Sequence, residues 1–537
     1  MKLKQFLFSA ALLASMNAIG QSVPTHEMYV DFGITERTDI VSALDKWQPG
    51  DNFSNDPDYQ DENFFISRVP LKSRFINQNT QANKNLNEEN NKNLCWCSPI
   101  GEMTKKWGPM PRYNFDGDNF NMWQYINIHA NWSNTWFRVP GTFNDVAHKN
   151  GVRTGCLYFI DWAEQVSATS SAGKMLAELC AKDGSGNFKY ARKLIQFLKY
   201  YGIDGLGLNP EGYWSTQLNE DFSSFLAECH KVAKEMNHPF HVEWYAFVSN
   251  TGGLNDNGCK LEIGANDKWF HKNGNPVTDV FFLNYNWSES GLQTSAEAAK
   301  SLGRSTYDVY AGFDQQGRGY GKYGNAGWTA LMRQPVSIVV WGAHDRSQLY
   351  AGSTEGGNSD LSVQNEYQKK QELLFTGGSR NVLRTPDITD DAITSSYSDL
   401  AKWHGYSKAV IEESALTELP FVTRFNLGNG LSFSKDGVVT FEHKWYNLGL
   451  QDLLPTWRWW IDNGDGTTIP ADPINCDFTF DDAWFGGSCL KLHGATSKSN
   501  IRLFSTKFNV ASASDEFTIV LKTLNGTDPK MKLNVSK

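Results

Sequence analysis

An amide and a carboxylic acid, Asn209 and Glu211, stand two residues apart at the end of segment 202–211. Alternate residues of a β-strand share a face, so these two side chains would lie side by side. Pro210 between them cannot donate to a sheet and marks the strand's end. Such a pair suits hydrolysis of a sugar whose own 2-acetamido oxygen is the nucleophile. Asn209 would hold that group and Glu211 would protonate the leaving oxygen, although the spacing alone favours a loop amide and a solvated acid.

The residues that precede this pair differ between the two faces of the predicted strand. Gly205 and Gly207 lie on the face of Asn209, whereas Leu206 and Leu208 lie on the opposite face and suit packing against helices. In barrels of alternating strands and helices, catalytic side chains lie at the C-terminal ends of strands. With the strand position and the glycines, a catalytic role is about as well supported as a structural one.

The segment Asp204-Gly205-x-Gly207-x-Asn209-x-Glu211 is similar to the DGxDxDxE signature of family 18 chitinases. Asn209 stands where that family has its acetamido-orienting Asp, and Gly207 replaces the other inner Asp. The Asn-x-Glu variant resembles glycoside hydrolase family 85, the endo-β-N-acetylglucosaminidases that act on N-glycans. Further motifs resemble that family in the same order along the chain, at residues 67–71, 122–126, 147–152, 243–245, 281–287, 308–319, 419–430 and 450–456.

The resemblance implies roles for further residues at matching positions. Tyr245 matches a strand-end tyrosine beside the acetamido group that forms the oxazoline. Trp287 matches an aromatic residue at the glycan-binding mouth, Trp244 is expected to bind substrate, and Asp314 lies in a motif that lines the site. The alternatives are core packing for the aromatic rings and a turn cap for Asp314.

The resemblance also implies a reaction. We expect cleavage of the N,N′-diacetylchitobiose core of N-glycans and glycoproteins with retention through an oxazoline, which a sugar acceptor could also trap. No metal or organic cofactor is expected. Two departures, Ala246 where the family has Asp and Pro210 where it has an apolar residue, leave the preferred glycan open. The alternatives are a chitinase-like glycosidase and a non-catalytic glycan-binding barrel, against which the presence of Glu211 argues.

Apolar strand-like runs alternate with helical patterns over residues 122–345. The clearest helix has apolar residues at three- and four-residue spacing over 218–236, with Ser215 as its predicted N-cap. Gly202 is predicted to end the preceding helix. Strand–helix alternation of this length favours a (β/α)₈ TIM-like barrel over residues 21–414, including an N-terminal extension. A doubly wound open sheet is the alternative, but no glycine-rich dinucleotide turn supports it.

Short strands separated by turns follow from residue 415 and predict a β-sandwich over 415–537. The predicted strands are 421–425, 431–433, 438–442, 476–480, 488–492, 501–504 and 517–522. The last residues predict no terminating element, so the sandwich could belong to a larger architecture or act as a carbohydrate-binding module.

Composition excludes several classes of protein. Among 537 residues, 40% are hydrophobic and the net charge is −9, so a basic surface for nucleic acid is not expected. No later run reaches the roughly 18 apolar residues of a membrane span. The eight cysteines show no zinc-site spacing, although Cys476 and Cys489 could pair in an oxidising compartment. We expect a monomer.

The first 20 residues have the three parts of a signal peptide. Lys2 and Lys4 precede a short apolar run, and Ala18-Ile19-Gly20 resembles a cleavage site, so the mature chain is predicted to start near Gln21. This pattern predicts an exported protein, periplasmic or secreted.

Overall fold

The structure is a computed structural model that describes residues 40–50, 66–98, 119–131, 136–137, 139, 141–319, 326–342, 361–390, 400–494, 497–509, 516–524 and 531–532. The predicted signal peptide at 1–20 lies outside these residues. Among the described residues, no helix has both the length and the apolar character needed to cross a membrane.

Eight parallel strands close into a barrel, which confirms the predicted fold class and rules out the open sheet. In chain order they are β1 (Leu94–Cys97), β2 (Ile128–Asn131), β3 (Arg153–Ile160), β4 (Gly205–Pro210), β5 (His241–Tyr245), β6 (Val280–Leu283), β7 (Val309–Asp314) and β8 (Ser337–Trp341). Each strand pairs with its sequence neighbours, and β1 pairs with β8 to close the barrel. All eight C-terminal strand ends therefore meet at one mouth, where side chains from distant segments can converge.

Helices connect and surround the strands. They are α1 (Ile40–Lys46), α2 (Gly141–Lys149), α3 (Lys174–Leu179), α4 (Ala191–Tyr201), α5 (Thr216–Glu235), α6 (Glu289–Ser301), α7 (Gln315–Arg318), α8 (Trp328–Met332) and α9 (Leu361–Thr376). Short 3₁₀ turns lie at Trp123–Tyr125, Asp267–Trp269, Thr306–Asp308, Val382–Arg384, Tyr406–Lys408 and Leu448–Leu450. The predicted caps are confirmed: Ser215 Oγ accepts from the Leu218 N–H, and Gly202 ends α4 in the left-handed conformation at φ 74°.

The start of the barrel differs from the prediction. Segment 122–126, whose motif resembles the family's first barrel strand, contains a 3₁₀ turn at Trp123–Tyr125 that precedes β2, and the first strand of the barrel is Leu94–Cys97. All four residues of β1 are buried, so the strand shows no apolar–polar alternation in the sequence. It also directly follows the polar stretch 76–93, which obscures its start.

Two hydrophobic regions lie on opposite sides of the barrel wall. The barrel interior holds Cys95, Cys97, Ile128, Ala130, Leu157, Tyr245, Val280, Phe282, Tyr310 and Val339. A larger cluster packs the outer faces of the strands against the helices, with residues such as Leu206, Leu208 and Phe222. The alternation predicted for β4 is thus confirmed, with leucines outside and glycines inside.

Small antiparallel sheets follow the barrel and fit a β domain. The paired strands are Asn429–Gly430 with Trp445–Tyr446, Phe433–Lys435 with Val438–Phe441 and Phe485–Gly486, Trp460–Asp462 with Asn500–Arg502, and Asn475–Thr479 with Cys489–His493. The segments 421–425 and 517–522, predicted as strands, are not in a sheet. All eight cysteines are free thiols, so Cys476 and Cys489 do not pair. The domain boundary at 414/415 stays a prediction.

Candidate active site

The predicted pair lies at the C-terminal end of β4, at the mouth of the barrel. Asn209 is on the inner face and 2% exposed, and its Nδ2 donates to Oε2 of Glu211 across 2.9 Å. Glu211 follows Pro210, the last residue of the strand, and is half-buried. An amide and a carboxyl group therefore share one small region that is open to solvent on the side of Glu211.

The surroundings of Glu211 favour its protonated form. Burial raises the pKa of Glu211, the hydrogen bond from Asn209 lowers it, and the nearby charge of Asp161 raises it, with a net rise. The loop after β3 holds the backbone at this point, since the Ala163 N–H donates to the carbonyl oxygen of Glu211 at 2.7 Å. An accessible carboxyl group with a raised pKa keeps its proton to higher pH than an ordinary glutamate, which suits it to donate a proton and later to accept one.

Tyr245 lies at the end of β5, the strand next to β4, and its hydroxyl group is positioned by a chain of hydrogen bonds. The hydroxyl donates to Oδ1 of Asn284 at 2.9 Å, and Nδ2 of Asn284 donates to Oδ2 of Asp256 at 2.9 Å. Tyr245 is 8% exposed, and burial and then the charge of Glu211 raise its pKa. The hydroxyl therefore stays protonated and lies within electrostatic reach of Glu211.

Asp314 ends β7 and caps the short helix that follows, where its Oδ1 accepts from the Gly317 N–H at 2.9 Å. Its charge acts on Tyr245 and on Tyr285, so it also lies near the mouth. Arg318 of the same helix donates to Asn286 Oδ1 at 2.7 Å and lies over the Tyr285 ring. Asp314 thus anchors one side of the mouth and satisfies the turn-cap alternative as well.

The structure places Trp244 and Trp287 away from the mouth. Trp244 is fully buried on the outer face of β5 and stacks on Trp269 with ring centroids 3.8 Å apart. Trp287 is also fully buried, and its Nε1 donates to the Gly312 carbonyl at 2.9 Å. Direct contact with substrate, predicted for both rings, does not fit this burial, because both pack in the layer between strands and helices.

Other aromatic rings, which the sequence reasoning did not single out, surround the mouth. Trp162 follows β3, is 62% exposed, and packs edge-on against Phe247 with centroids 5.3 Å apart. Phe247, Tyr285 and Trp341 are partly buried against the interior cluster. Their signal in the sequence is position alone: each lies at or just after the end of a barrel strand.

The small residues on the inner face of β4 make room for the next strand. A Cβ at Gly205 would lie 2.2 Å from the His241 ring, and a Cβ at Gly207 would lie 2.9 Å from Oε2 of Glu243. Alanine at Gly205 would therefore displace His241 of β5, whereas alanine at Gly207 would first meet Leu157 of β3, whose Cγ would lie 2.5 Å from the new Cβ. Asp204, which precedes them, is structural: its Oδ2 bonds to Nε2 of His148 and accepts from the Thr154 N–H, each at 2.8 Å.

Comparison with known proteins gives several similar chains. The cytosolic endo-beta-N-acetylglucosaminidase of Gallus gallus is 23% identical over 500 residues, covering 89% of this chain and 55% of that protein. The human enzyme of the same name is 23% identical over 393 residues, covering 72% of this chain and 45% of that protein. The chain therefore spans about half the length of the curated relatives it matches.

A solved structure gives the same fold. The glycoside hydrolase domain of Endo-D from Streptococcus pneumoniae superposes with a TM-score of 0.71 at 26% identity, covering 88% of this chain and 68% of that chain. The similarity thus extends beyond the barrel to most of the described residues.

The predicted export is contradicted by the comparison, because all six curated relatives are named cytosolic. A basic start followed by a short apolar run is weak evidence for export, since apolar runs of about 10–14 residues also occur in buried helices. The predictions of a signal peptide at 1–20 and of a periplasmic or secreted protein are wrong on this finding.

The family assignment rests on the sequence of the barrel itself. The model of glycosyl hydrolase family 85 matches residues 104–433, which include Asn209, Glu211 and Tyr245. That match covers more than half of the 537 residues and agrees with the closed barrel and with the motif at the end of β4. The chain belongs to glycosyl hydrolase family 85.

Proposed function

We propose that this chain is an endo-β-N-acetylglucosaminidase that cleaves the N,N′-diacetylchitobiose core of N-glycans, on free glycans and on glycoproteins, by substrate-assisted retaining hydrolysis. The observation that carries the proposal is the 2.9 Å hydrogen bond between Asn209 and Glu211 at the barrel mouth, together with the raised pKa of Glu211. The names of the curated relatives support the endo-β-N-acetylglucosaminidase activity.

In the first step, the oxygen of the substrate's 2-acetamido group attacks the anomeric carbon. The bond from that carbon to the glycosidic oxygen breaks, and Glu211 gives its proton to the departing oxygen. Asn209 cannot be the nucleophile, because the two-carboxylate scheme needs a carboxylate at that place and asparagine has an amide. Its role is to hold the acetamido group in the attacking geometry. The product is an oxazolinium ion that remains bound at the mouth.

In the second step, Glu211 has become a carboxylate and removes a proton from an incoming water molecule. The oxygen of that water attacks the anomeric carbon and opens the ring of the intermediate, which regenerates the acetamido group. Two inversions give net retention. A sugar hydroxyl in place of water would give transfer instead of hydrolysis, and Glu211 would serve as its base in the same way.

Tyr245 is proposed to contact the acetamido group from the neighbouring strand. Asn284 and Asp256 hold the tyrosine hydroxyl in one orientation, so little rotational entropy is lost when substrate binds. Asp314 and the rings of Trp162 and Tyr285 are proposed to line the path of the glycan. No cofactor takes part in these steps, and we expect a monomer to carry them out.

A synthetic glycan oxazoline separates the roles of the two residues, because it enters the reaction after the first step. Asn209→Ala should lose hydrolysis of intact glycoprotein but still transfer glycan from the oxazoline to an N-acetylglucosamine acceptor. Glu211→Gln should be slowed by about 10²–10⁴-fold in both assays, since it can neither give nor take a proton. Equal behaviour of the two variants with the oxazoline would refute this division of roles.

Incubating the wild-type protein with a high-mannose glycoprotein and with chitin oligomers, and measuring the change in mass, tests the other two functions. A chitinase-like enzyme would release sugars from chitin oligomers in preference to a high-mannose glycoprotein, and a glycan-binding protein would bind both without any mass change. If Asn209→Ala hydrolysed glycoprotein at a near wild-type rate, a carboxylate nucleophile would have to replace the acetamido group in the mechanism.

A further inference from the structure

Glu243 is a carboxylic acid inside the barrel that takes no part in the two steps above. It lies on the inner face of β5, is 4% exposed, and is the register partner of Gly207 on β4. A Cβ at Gly207 would lie 2.9 Å from Glu243 Oε2, and a Cβ at Gly155 would lie 3.2 Å from Oε1. The carboxyl group thus occupies space that two glycines on the neighbouring strands leave open.

This carboxyl group lies one layer beneath the proposed catalytic residues. Asn209 follows Gly207 by two residues on the inner face of β4, and Tyr245 follows Glu243 by two residues on the inner face of β5. Two residues of a strand rise by about 6.6 Å. On these two strands, therefore, Asn209 and Tyr245 are the next inward side chains above Glu243.

A buried imidazole shares a proton with this acid. Nε2 of His241 lies 2.8 Å from Oε1 of Glu243, while His241 Nδ1 and Glu243 Oε2 have no hydrogen-bond partner among the described residues. Burial raises the pKa of Glu243 to about 8 and lowers that of His241 well below its usual range. If Glu243 were ionised and His241 protonated, Oε2 of the carboxylate and the Nδ1–H of the imidazolium would both be buried without a hydrogen-bond partner. The neutral pair is therefore favoured at neutral pH.

The groups that face Glu243 come from several strands. They are Cys95 and Cys97 of β1, His241 of β5, Arg153 at the start of β3 and Asp279 just before β6. Arg153 lowers the pKa of Glu243 and Asp279 raises it, but burial outweighs both. Among the described residues, no group of three or more His, Cys, Asp or Glu side chains could hold a metal ion, so this cluster is not a metal site.

We propose that Glu243 is a positioning residue of the active site: bonded to His241 within β5 and packed over Gly207 of β4, it keeps the ends of the two strands aligned so that Asn209 and Tyr245 face one acetamido group. When Glu243 loses its proton, an unpaired charge arises in the barrel interior, and the adjoining ends of β4 and β5 must move or admit water to relieve it. The inference rests on the proposed function of Asn209 and Tyr245.

The test compares wild type with Glu243→Gln, which keeps the shape of the side chain and cannot ionise. The ratio of kcat/KM of the variant to that of wild type, measured from pH 6 to 9.5, cancels the titration of Glu211. We expect this ratio to be constant below about pH 7 and to rise by about tenfold per pH unit above pH 8. A ratio that is flat over the whole range overturns the proposal.

A stability measurement separates this inference from the proposed function. Folded wild type holds the Glu243 proton more tightly than the unfolded chain does, so its stability falls as pH rises from the ordinary value of 4.5 to about 8. The Tm of Glu243→Gln minus that of wild type should therefore widen over this window and then level off. A constant difference overturns the proposal whatever the activity, whereas widening without glycan hydrolysis in wild type places the failure in the proposed function.

Glu412→Gln is the matched control. Glu412 is also a buried acid, accepts from Trp457 Nε1 at 2.6 Å, and has a pKa that burial raises to about 7, but it lies outside the barrel interior. Its variant should widen the Tm difference with pH and leave the pH profile of kcat/KM like that of wild type. If Glu412→Gln changed the alkaline activity as Glu243→Gln does, the effect would report general stability, and the positioning role would be refuted.

Discussion

The barrel mouth and the junction between the barrel and the C-terminal β region both bury ionisable side chains, but these side chains have different partners. At the mouth, Glu211 is held by one amide, and in the interior beneath it an oxygen of Glu243 has no partner among the described residues. At the junction, Glu372 is 1% exposed and lies between two arginines, Arg380 and Arg458. The junction places opposite charges side by side, although Glu372 Oε1 and Arg458 Nε also lack hydrogen-bond partners among the described residues. The mouth and the interior beneath it instead hold acids whose pKa is raised by burial.

The junction extends this pairing in both directions. Arg380 also donates to Asp477 Oδ1 at 2.8 Å, and Arg458, which is fully buried, donates through Nη2 to the Asn121 carbonyl at 2.7 Å. Burial lowers the pKa of Arg380 and the two carboxylates raise it, with the carboxylates outweighing the burial. These contacts join α9 to the sheets of the β region and to the segment before β2.

The difference indicates which buried charge serves stability and which serves chemistry. A carboxylate beside an oppositely charged partner holds its charge, whereas an acid whose pKa is raised by burial keeps its proton to higher pH and can give it to a substrate. Variants in the two regions should therefore separate activity from stability.

The largest expected effect is on catalysis at the mouth. Glu211→Gln should lower kcat/KM for glycoprotein by about 10²–10⁴-fold, because the proton donor is lost while the amide preserves the size of the side chain. The Tm should stay close to that of wild type or rise, since burial disfavours the charged form of Glu211. If Tm fell along with activity, Glu211 would be a structural residue, and the claim that the acid at the mouth serves chemistry and not stability would be wrong.

The next largest effect is on stability at the junction. Glu372→Ala leaves Arg380 and Arg458 without their shared carboxylate and should cost about 3–5 kcal/mol in the free energy of unfolding. Below the unfolding transition, kcat/KM per folded molecule should remain near wild type, because the junction does not contribute to the mouth. Glu228→Ala, which removes an exposed pair with Lys231, is the control and should cost less than about 1 kcal/mol.

The sequence predicts the part of this site that lies within one strand. Asn209 and Glu211 can be identified because alternation along β4 and the rule of C-terminal strand ends need only local residues. The same alternation applies to β5, where Trp244 and Tyr245 are neighbours and cannot both face the interior. If Tyr245 faces the interior, alternation turns Trp244 outward, so the two predicted substrate contacts exclude each other.

The remaining parts depend on pairing between distant segments, which the sequence does not contain. The hydrogen bond from Tyr245 to Asn284 spans 39 residues, and that from Asn284 to Asp256 spans 28. Gly207 faces Glu243 only because of the register of β4 with β5. Trp287 lies in the turn after β6, where no alternation indicates which way a ring points.

A smaller effect is expected at the rim of the mouth. Trp162→Ala should raise KM for glycoprotein by about two- to tenfold with little change in kcat, since stacking on an exposed ring is worth about 0.5–1.5 kcal/mol. Trp484, which is 40% exposed in the β region, provides a control of the same residue type. An equal rise in KM for Trp484→Ala would mean that glycan binding is not confined to the mouth. The β region would then contribute to substrate binding as well as to stability.

The smallest expected effect concerns the charge that faces Glu211. Asp161 raises the pKa of Glu211, which must be protonated to act as the acid, so its ionised carboxylate keeps the enzyme active at higher pH. Asp161→Asn removes that charge, so the alkaline limb of the kcat/KM profile should move to lower pH, and only slightly, since water screens an exposed carboxylate. The shift should shrink further in about 0.5 M salt, where the screening length is only a few ångströms. Asp183→Asn, which alters an exposed carboxylate in the turn before α4, should leave the limb in place. A shift toward higher pH for Asp161→Asn would have the wrong sign for an acid stabilised in its protonated form by a neighbouring negative charge, and Glu211 would then not be the group that sets this limb.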